Sequence, residues 1–411
     1  MSELVVGIDV GTNKICTVVG EVREEDIFII GVGIEPSQGM KKGVVNDIGQ
    51  LTAAVSSSVH KAEKSSGYDI GRAFVSVAGG HIASINSRGV TGIASQRGVA
   101  QSDIAKAMEA AQAIAIPHNR EVLHVVPRSY SLDGQDRVRS PLGMHGFRLE
   151  VEAHIITAAT TSVANLERAI EAAGVYVDRF ILNPLASGDT VLTPEEREMG
   201  VVVVDIGGGT TDLAVFIEGT VWHTAVIPVG GDHVTNDITY IMRIPYTDAE
   251  AVKIKYGHAI PRQIDPIEVF LVQPFGEGYP TEIKRVELAE VIEARIEEIF
   301  ETVQKEIKRS GYDGLLRAGA VITGGGAALP GLREVAERIL GFPVRIGKPE
   351  KLSGMADTLR NPAYSTSVGL LRLGLDMDAG TPTAHAGNTP ANGNGLAALL
   401  SNFFKRLMPD G

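Results

Sequence analysis

The sequence predicts an α/β protein of two or three domains built around a pair of matching Gly-rich hairpins. Three observations carry that prediction. A strand–Asp–Gly turn–Thr–strand pattern occurs twice, as Val5-Val6-Gly7-Ile8-Asp9-Val10-Gly11-Thr12-Asn13-Lys14 and as Val203-Val204-Asp205-Ile206-Gly207-Gly208-Gly209-Thr210-Thr211-Asp212. Strand and helix patterns alternate around each copy, the ordering of a mixed sheet flanked by helices. A third Gly-rich element, Thr323-Gly324-Gly325-Gly326-Ala327, follows a short strand and precedes a helix.

Each hairpin tip offers backbone N–H groups in a concavity that suits an anion. Glycine lets the backbone approach a phosphate closely. The aspartates at the mouths, Asp9 and Asp205, can hold Mg²⁺ directly or through water and so neutralise triphosphate charge. No Gly-Lys-Ser/Thr follows a spaced Gly, so this is not a Walker A loop.

Composition narrows the class. The chain has 411 residues, 44% hydrophobic and 21% charged, ordinary for a soluble globular protein. A net charge of −12 with no basic domain argues against nucleic acid as a partner. The single cysteine, Cys16, sits in an aliphatic run and leaves no internal disulfide, which fits a reducing cytosol. No basic region precedes the first apolar residues, as a signal peptide would need. No uninterrupted apolar run approaches the ~18 residues of a membrane span. The histidines lack metal-ligand spacing and Cys-x-x-Cys is absent, so the metal expected is the Mg²⁺ that arrives with nucleotide.

Along the chain, strands are expected at Leu4–Asp9, Ile15–Val22 and Ile27–Ile34. A helix follows over Asp47–Ser65, closed near Gly67, and then a strand at Ala73–Val77. From 84 to 162 the character changes to a small α+β module inserted in the first domain. It carries strands at Ile82–Ile93, Glu121–Ser131 and Phe147–Thr157 and a helix at Ser102–Ala115, with Ser102 and Asp103 as caps. Helices are expected at Val163–Ala173 and from Asn183. Thr193-Pro194-Glu195-Glu196 carries helix-start chemistry ahead of the second hairpin. Between Pro228 and Gly257 lies a helical region, then a loop to about Pro280. A long amphipathic helix covers Val286–Lys308, with Ile292, Ile296, Ile299, Val303 and Ile307 along one face, and Gly311 closes it. The Gly324–Gly326 element is the natural place for adenosine.

The tail is the second informative feature. Residues 376–395 contain almost nothing that can anchor to a core, so they read as a linker with a reach of roughly 25 Å, extendable to about 65 Å. Beyond it Leu396, Leu399, Leu400, Phe403, Phe404, Leu407 and Met408 form an i, i+3, i+4 stripe, with Lys405 and Arg406 on the other face. Such a helix over 396–408 suits the plane of an anionic membrane surface. At this length it is marginal in isolation, so folding couples to membrane binding. Two cations add only about 1 kcal/mol each, so a single anchor binds reversibly and polymerisation would raise attachment by avidity.

These residues resemble the actin/Hsp70/sugar-kinase superfamily and, within it, the FtsA family of bacterial cell-division proteins. Gly7–Lys14 is similar to the first phosphate motif, Pro184–Gly188 to the first connecting motif, Asp205–Asp212 to the second phosphate motif and Thr323–Gly331 to the adenosine motif. Asn361-Pro362-Ala363-Tyr364-Ser365-Thr366-Ser367-Val368-Gly369-Leu370-Leu371 resembles a late FtsA stretch. The insert and the linker-plus-helix tail select this family among superfamily members.

The resemblance implies an actin-like two-lobed ATPase fold. Lobe 1 would be 1–83, completed by 163–195 and about 346–375. The inserted subdomain, called 1C, would be 84–162, and lobe 2 would be 196–345 with its 2B part about 231–310. It implies ATP as ligand, with Gly11, Thr12, Asn13 and Lys14 on the β-phosphate side. Gly207, Gly208, Gly209, Thr210 and Thr211 would lie on the γ side, with Asp9 and Asp205 arranging Mg²⁺. Glu250 and Lys253 would approach the adenosine, and Gly324, Gly325 and Gly326 would face adenine and ribose. Arg295 matches an arginine of the surface that takes the C-terminal tail of tubulin-like FtsZ, and Arg suits an acidic peptide.

The implied role is a polymer that tethers the FtsZ ring to the cytoplasmic face of the inner membrane at the division site and recruits later division proteins through 1C. One departure bears on mechanism. The connecting segment Asn183-Pro184-Leu185-Ala186-Ser187-Gly188-Asp189 lacks the Glu or Gln that orients water in efficient ATPases of the superfamily. Tight ATP binding with slow or undetectable hydrolysis is therefore expected. A small-molecule kinase would need a further catalytic Asp, and a chaperone would need a peptide-binding domain after the ATPase. The alternative that remains is a pilus-assembly scaffold of similar architecture, which would not need an autonomous membrane helix.

Overall fold

In the computed structural model, residues 4–23, 26–94, 97–276 and 279–378 are described. Most of the linker and the whole 396–408 stripe lie outside them. Residues 376–378, read from sequence as the start of the linker, instead end the helix Ser365–Asp378.

The repeat in the sequence is a repeat in the fold. In lobe 1, Leu4–Val10, Lys14–Arg23 and Asp26–Pro36 form an antiparallel meander, and Arg72–Val77 and then Tyr176–Leu182 add in parallel beside the first strand. In lobe 2, Val201–Ile206, Thr211–Ile217 and Thr220–Ile227 repeat the meander, with Gly319–Thr323 and Val344–Ile346 added in parallel. The strand Val201–Ile206 is buried throughout and reads as an aliphatic run interrupted only by Asp205, as suits a central strand covered on both faces. The long helix Arg285–Ser310 covers one face of the lobe-2 sheet with Ile292, Ile296, Ile299, Val303 and Ile307, all buried as their spacing requires. Helix Ile48–Ser66 covers lobe 1, capped by the Asp47 carboxylate and ended by Gly67.

Two local expectations are corrected. The helix of the insert spans Gln101–Gln112 and its N-cap is Ala100. Asp103 sits in the first turn, where its carboxylate accepts the Ala100 N–H. The stretch before Pro280, expected as a loop, contains a strand, Val269–Val272, paired with Thr281–Lys284.

Between the lobes' chains, Ala83–Gly92, Arg148–Ala159, Arg120–Leu132 and Gln135–Val138 form a separate four-stranded sheet. Its chain ends join lobe 1, yet its side chains grip lobe 2. The Arg128 guanidinium lies 4.5 Å from the Trp222 ring centre and donates to the Tyr312 hydroxyl at 2.9 Å. His154 is buried between Asn86 Oδ1 at 2.7 Å and Thr224 Oγ1 at 2.9 Å, and burial drives its pKa down to about 3. The neutral ring donates from Nδ1 to the Asn86 carbonyl and accepts at Nε2 from Thr224. Among the described residues, no helix is long and apolar enough to cross a membrane.

Candidate functional site

The two hairpin turns face each other across a cleft of about 370 Å³ between the lobes, within the range of sites for small ligands. Asp9, Gly11, Thr12, Asn13 and Lys14 line it from lobe 1, and Asp205, Gly207, Gly208, Thr210 and Asp212 from lobe 2. The tips touch. A Cβ on Gly208 would stand 2.6 Å from the Asn13 amide, which would have to move to admit it. Asn13 also donates to Asp232 Oδ1 at 2.7 Å, a bond between the lobes.

Gly209 and Thr211 are the predicted phosphate residues that the cleft lining does not include. A Cβ on Gly209 would meet Thr12 Oγ1 at 2.5 Å, and the buried Thr211 hydroxyl donates to the Val229 carbonyl at 2.8 Å. Gly209 sits at the contact between the tips, and Thr211 braces the turn from behind. The adenosine candidates Glu250, Lys253, Gly324, Gly325 and Gly326 all line the far end of the cleft. Lys253 pairs with Glu250 at 2.6 Å and donates to the Gly231 carbonyl at 3.2 Å, while the Thr235 hydroxyl donates to Glu250. Ile254, Ile296, Ile299 and Leu329 supply apolar wall there, a surface fit for a flat heterocycle.

The hairpin aspartates have different surroundings. Asp9 accepts hydroxyl bonds from Ser76 at 3.0 Å and Ser367 at 2.9 Å, and Lys14 Nζ stands 3.3 Å away. Burial pulls the Lys14 pKa down, but Asp9, joined by Cys16 and Tyr364, outweighs it and the net shift is upward. Asp205 accepts from Thr366 at 2.9 Å. Burial pushes its carboxyl up to about 6, with the Thr366 bond opposing and the Asp9 charge adding.

Asp212 was not singled out from sequence. It is directly opposite Asp205 in the strand pairing, 2% exposed, and accepts from Thr210 at 3.1 Å while its Oδ1 has no hydrogen-bond partner among the described residues. Burial first, and Asp205 second, hold its pKa well above the carboxylate range. Of the polar groups in the connecting segment, Asn183 lines the cleft with an unpartnered Oδ1, whereas Asp189 is turned to Arg197 at 3.1 Å. Among the described residues no three Asp, Glu, His or Cys side chains stand together so as to hold a cation unaided. The donor set fits a cation that brings phosphate oxygens with it, the buried carboxylates supplying the remaining charge.

Arg295 lies apart from the cleft lining, on the long helix. Its guanidinium forks onto Asp237 at 2.6 and 2.9 Å and reaches Glu298 at 2.6 Å. An acidic partner would have to compete with both.

Residues 202–369 match the family model described as cell division protein FtsA, and residues 79–157 match that of the SHS2 domain inserted in FtsA. The chain is 45% identical over 378 residues to the cell division protein FtsA of Pseudomonas aeruginosa, covering 92% of this chain and 90% of the relative. It is 39% identical over 382 residues to that of Escherichia coli K12, covering 91% of each. Among solved structures, the PilM–PilN type IV pilus biogenesis complex matches with a TM-score of 0.66 at 16% identity, over 90% of this chain and 98% of that one. MreB5 of Spiroplasma citri bound to ADP matches with a TM-score of 0.54 at 15% identity, over 90% and 95%. The two lobes are thus an actin-like fold with an SHS2 module inserted in the first.

Proposed function

This chain belongs to the FtsA family of bacterial cell division proteins, and from that premise we propose its biochemical role. It binds ATP with Mg²⁺ between the lobes, polymerises, and tethers the FtsZ ring to the cytoplasmic face of the inner membrane through residues 396–408. The inserted module receives later division proteins. The observation that carries the nucleotide part is the pair of matching hairpins whose tips meet across one cleft.

In this reading Gly11 to Lys14 hold the β-phosphate side and Gly207, Gly208 and Thr210 the γ side, with Gly209 and Thr211 supporting the turn. Glu250, Lys253 and Gly324 to Gly326 take the adenosine. Mg²⁺, when bound beside Asp9 and Asp205, neutralises triphosphate charge. Hydrolysis is slow. The connecting segment supplies Asn183 alone to the cleft, and a water there would be oriented by Asn183 Oδ1 and Asp212 Oδ1, the latter taking its proton. The nucleotide then serves chiefly as an assembly ligand.

The membrane part is supported by the amphipathic pattern of the tail, and the FtsZ part by Arg295 on the long helix. A pilus-type scaffold is disfavoured, because the likeness to PilM is one of fold at 16% identity while the sequence relatives named above are cell division proteins. The test is vesicle co-sedimentation of the full chain and of a chain stopping at Gly395, each with and without ATP-Mg²⁺ and an FtsZ tail peptide. The full chain alone should pellet and carry the peptide with it. Equal pelleting of the shortened chain would remove the tail as anchor.

A further inference from the structure

Asp9 and Asp205 are both held from behind by one helix. Ser365–Asp378 opens with Ser365, Thr366 and Ser367, which are 1%, 6% and 0% exposed. Hydroxyls at a helix start commonly bond the helix's own backbone. Here they reach elsewhere. Thr366 Oγ1 donates to Asp205 Oδ2 at 2.9 Å, and Ser367 Oγ donates to Asp9 Oδ2 at 2.9 Å. Ser365 is 2.7 Å from Thr323 Oγ1, at the end of the lobe-2 strand beside Asp205.

Adjacent residues of a rigid element therefore hold one aspartate from each lobe. The helix has little room to shift. It packs against the connecting helix Asn183–Val191 so closely that a Cβ on Gly369 would lie 1.9 Å from the Ala186 carbonyl oxygen. Neighbouring hydroxyls of one helix thus tie the two carboxylates to each other across the lobes. The helix N-terminus adds positive potential on the same side.

We propose that Thr366 and Ser367 are positioning residues for the cation that accompanies the nucleotide. They fix Asp205 and Asp9 at one spacing across the lobes, so that the cleft recognises metal–nucleotide in preference to nucleotide alone. This rests on the nucleotide-binding reading above, and it assigns a task to a stretch that sequence reasoning noted only for its resemblance.

The experiment is calorimetric titration of the full chain with ATP, once in Mg²⁺ and once in EDTA, for the unaltered chain and for T366V, T366S and S367A. Thermal melting of each checks folding. Mg²⁺ should tighten binding to the unaltered chain. A hydroxyl–carboxylate bond is of a strength that corresponds to about tenfold in affinity or more, so T366V should lose about that factor in Mg²⁺ and within about twofold in EDTA. T366S should restore the gain, and S367A, which deletes only an oxygen, should repeat the loss if T366V melts early. Equal losses in Mg²⁺ and EDTA would make both hydroxyls merely structural and overturn the inference. So would an unaltered chain that binds ATP equally well in either medium, which leaves the nucleotide reading standing. An unaltered chain that binds ATP in neither removes that reading as well.

Discussion

The first and second hairpins share one outline but place different residues opposite their aspartates. Opposite Asp9 the partner strand carries Cys16; opposite Asp205 it carries Asp212. Burial pushes the Cys16 thiol up to about 11, so a neutral group faces Asp9, and Lys14 supplies a cation 3.3 Å away. The second hairpin sets two carboxylates against each other, an arrangement that repels, and its turn carries no cation. The first hairpin is electrostatically complete by itself. The second is short of positive charge, which is what a cation arriving with phosphate would bring.

The largest test of that contrast is Asp9→Asn. It leaves Lys14 without its partner in a mostly buried place and should cost about 2–4 kcal/mol in urea unfolding. If Asp205→Asn costs as much, the two hairpins are alike and the contrast fails.

Next comes pH. Asp205 has a folded pKa of about 6 against 3.8 for the ordinary group, so between those values the folded state holds more proton than the unfolded. Stability of the nucleotide-free protein should therefore fall as pH rises from about 4 through 6, by about 2–3 kcal/mol from this residue. His154 acts oppositely, because its folded pKa of about 3 lies below 6.5 and its contribution is lost as pH falls below that value. Urea midpoints of the D205N and H154Q variants across pH 4 to 8 separate the slopes, and a D205N profile identical to the unaltered one would refute the assignment.

A smaller effect is expected at Asp212. Replacing this buried carboxyl, one oxygen of which lacks a hydrogen bond among the described residues, by Asp212→Asn should relieve its repulsion with Asp205 and stabilise the nucleotide-free chain by about 1–2 kcal/mol, raising its melting temperature, while ATP turnover declines. A drop in melting temperature would mean that Asp212 is a structural carboxylate after all. Smallest is Arg295→Ala, whose ion pairs are partly exposed and worth under about 1 kcal/mol of stability. Loss of FtsZ-peptide binding with stability intact would sharpen its assignment as a partner residue.

What could be read in the sequence was what repeats or oscillates. Asp9, Asp205 and the glycines stood out through a duplicated motif, and the long helix through its 3.6-residue stripe. Thr366 and Ser367 gave no such signal, since their partners lie 161 and 358 residues away and no period connects them. Asp212 ended a motif that was noticed, but its opposition to Asp205 depends on the register of the hairpin, which a two-residue shift would abolish. Thr211 points the other way from the turn for the same reason of strand alternation. The strand Val269–Val272 was missed because it is short and lies among Gly and Pro, where turn chemistry dominates the local pattern.

The grip of the insert on lobe 2 has a mechanical consequence. Two bodies joined at one hinge make a clamshell, whose jaws move at no expense to anything else. Here a third body is rooted in one jaw and fastened to the other by Arg128 at Trp222 and Tyr312 and by His154 at Thr224, which turns the clamshell into a braced frame. Thr224 lies on the strand next to the one bearing Asp212, so the brace is attached one strand from the cleft. A swing of one jaw against the other would have to break or slide those contacts, so opening the cleft would be felt at the inserted module.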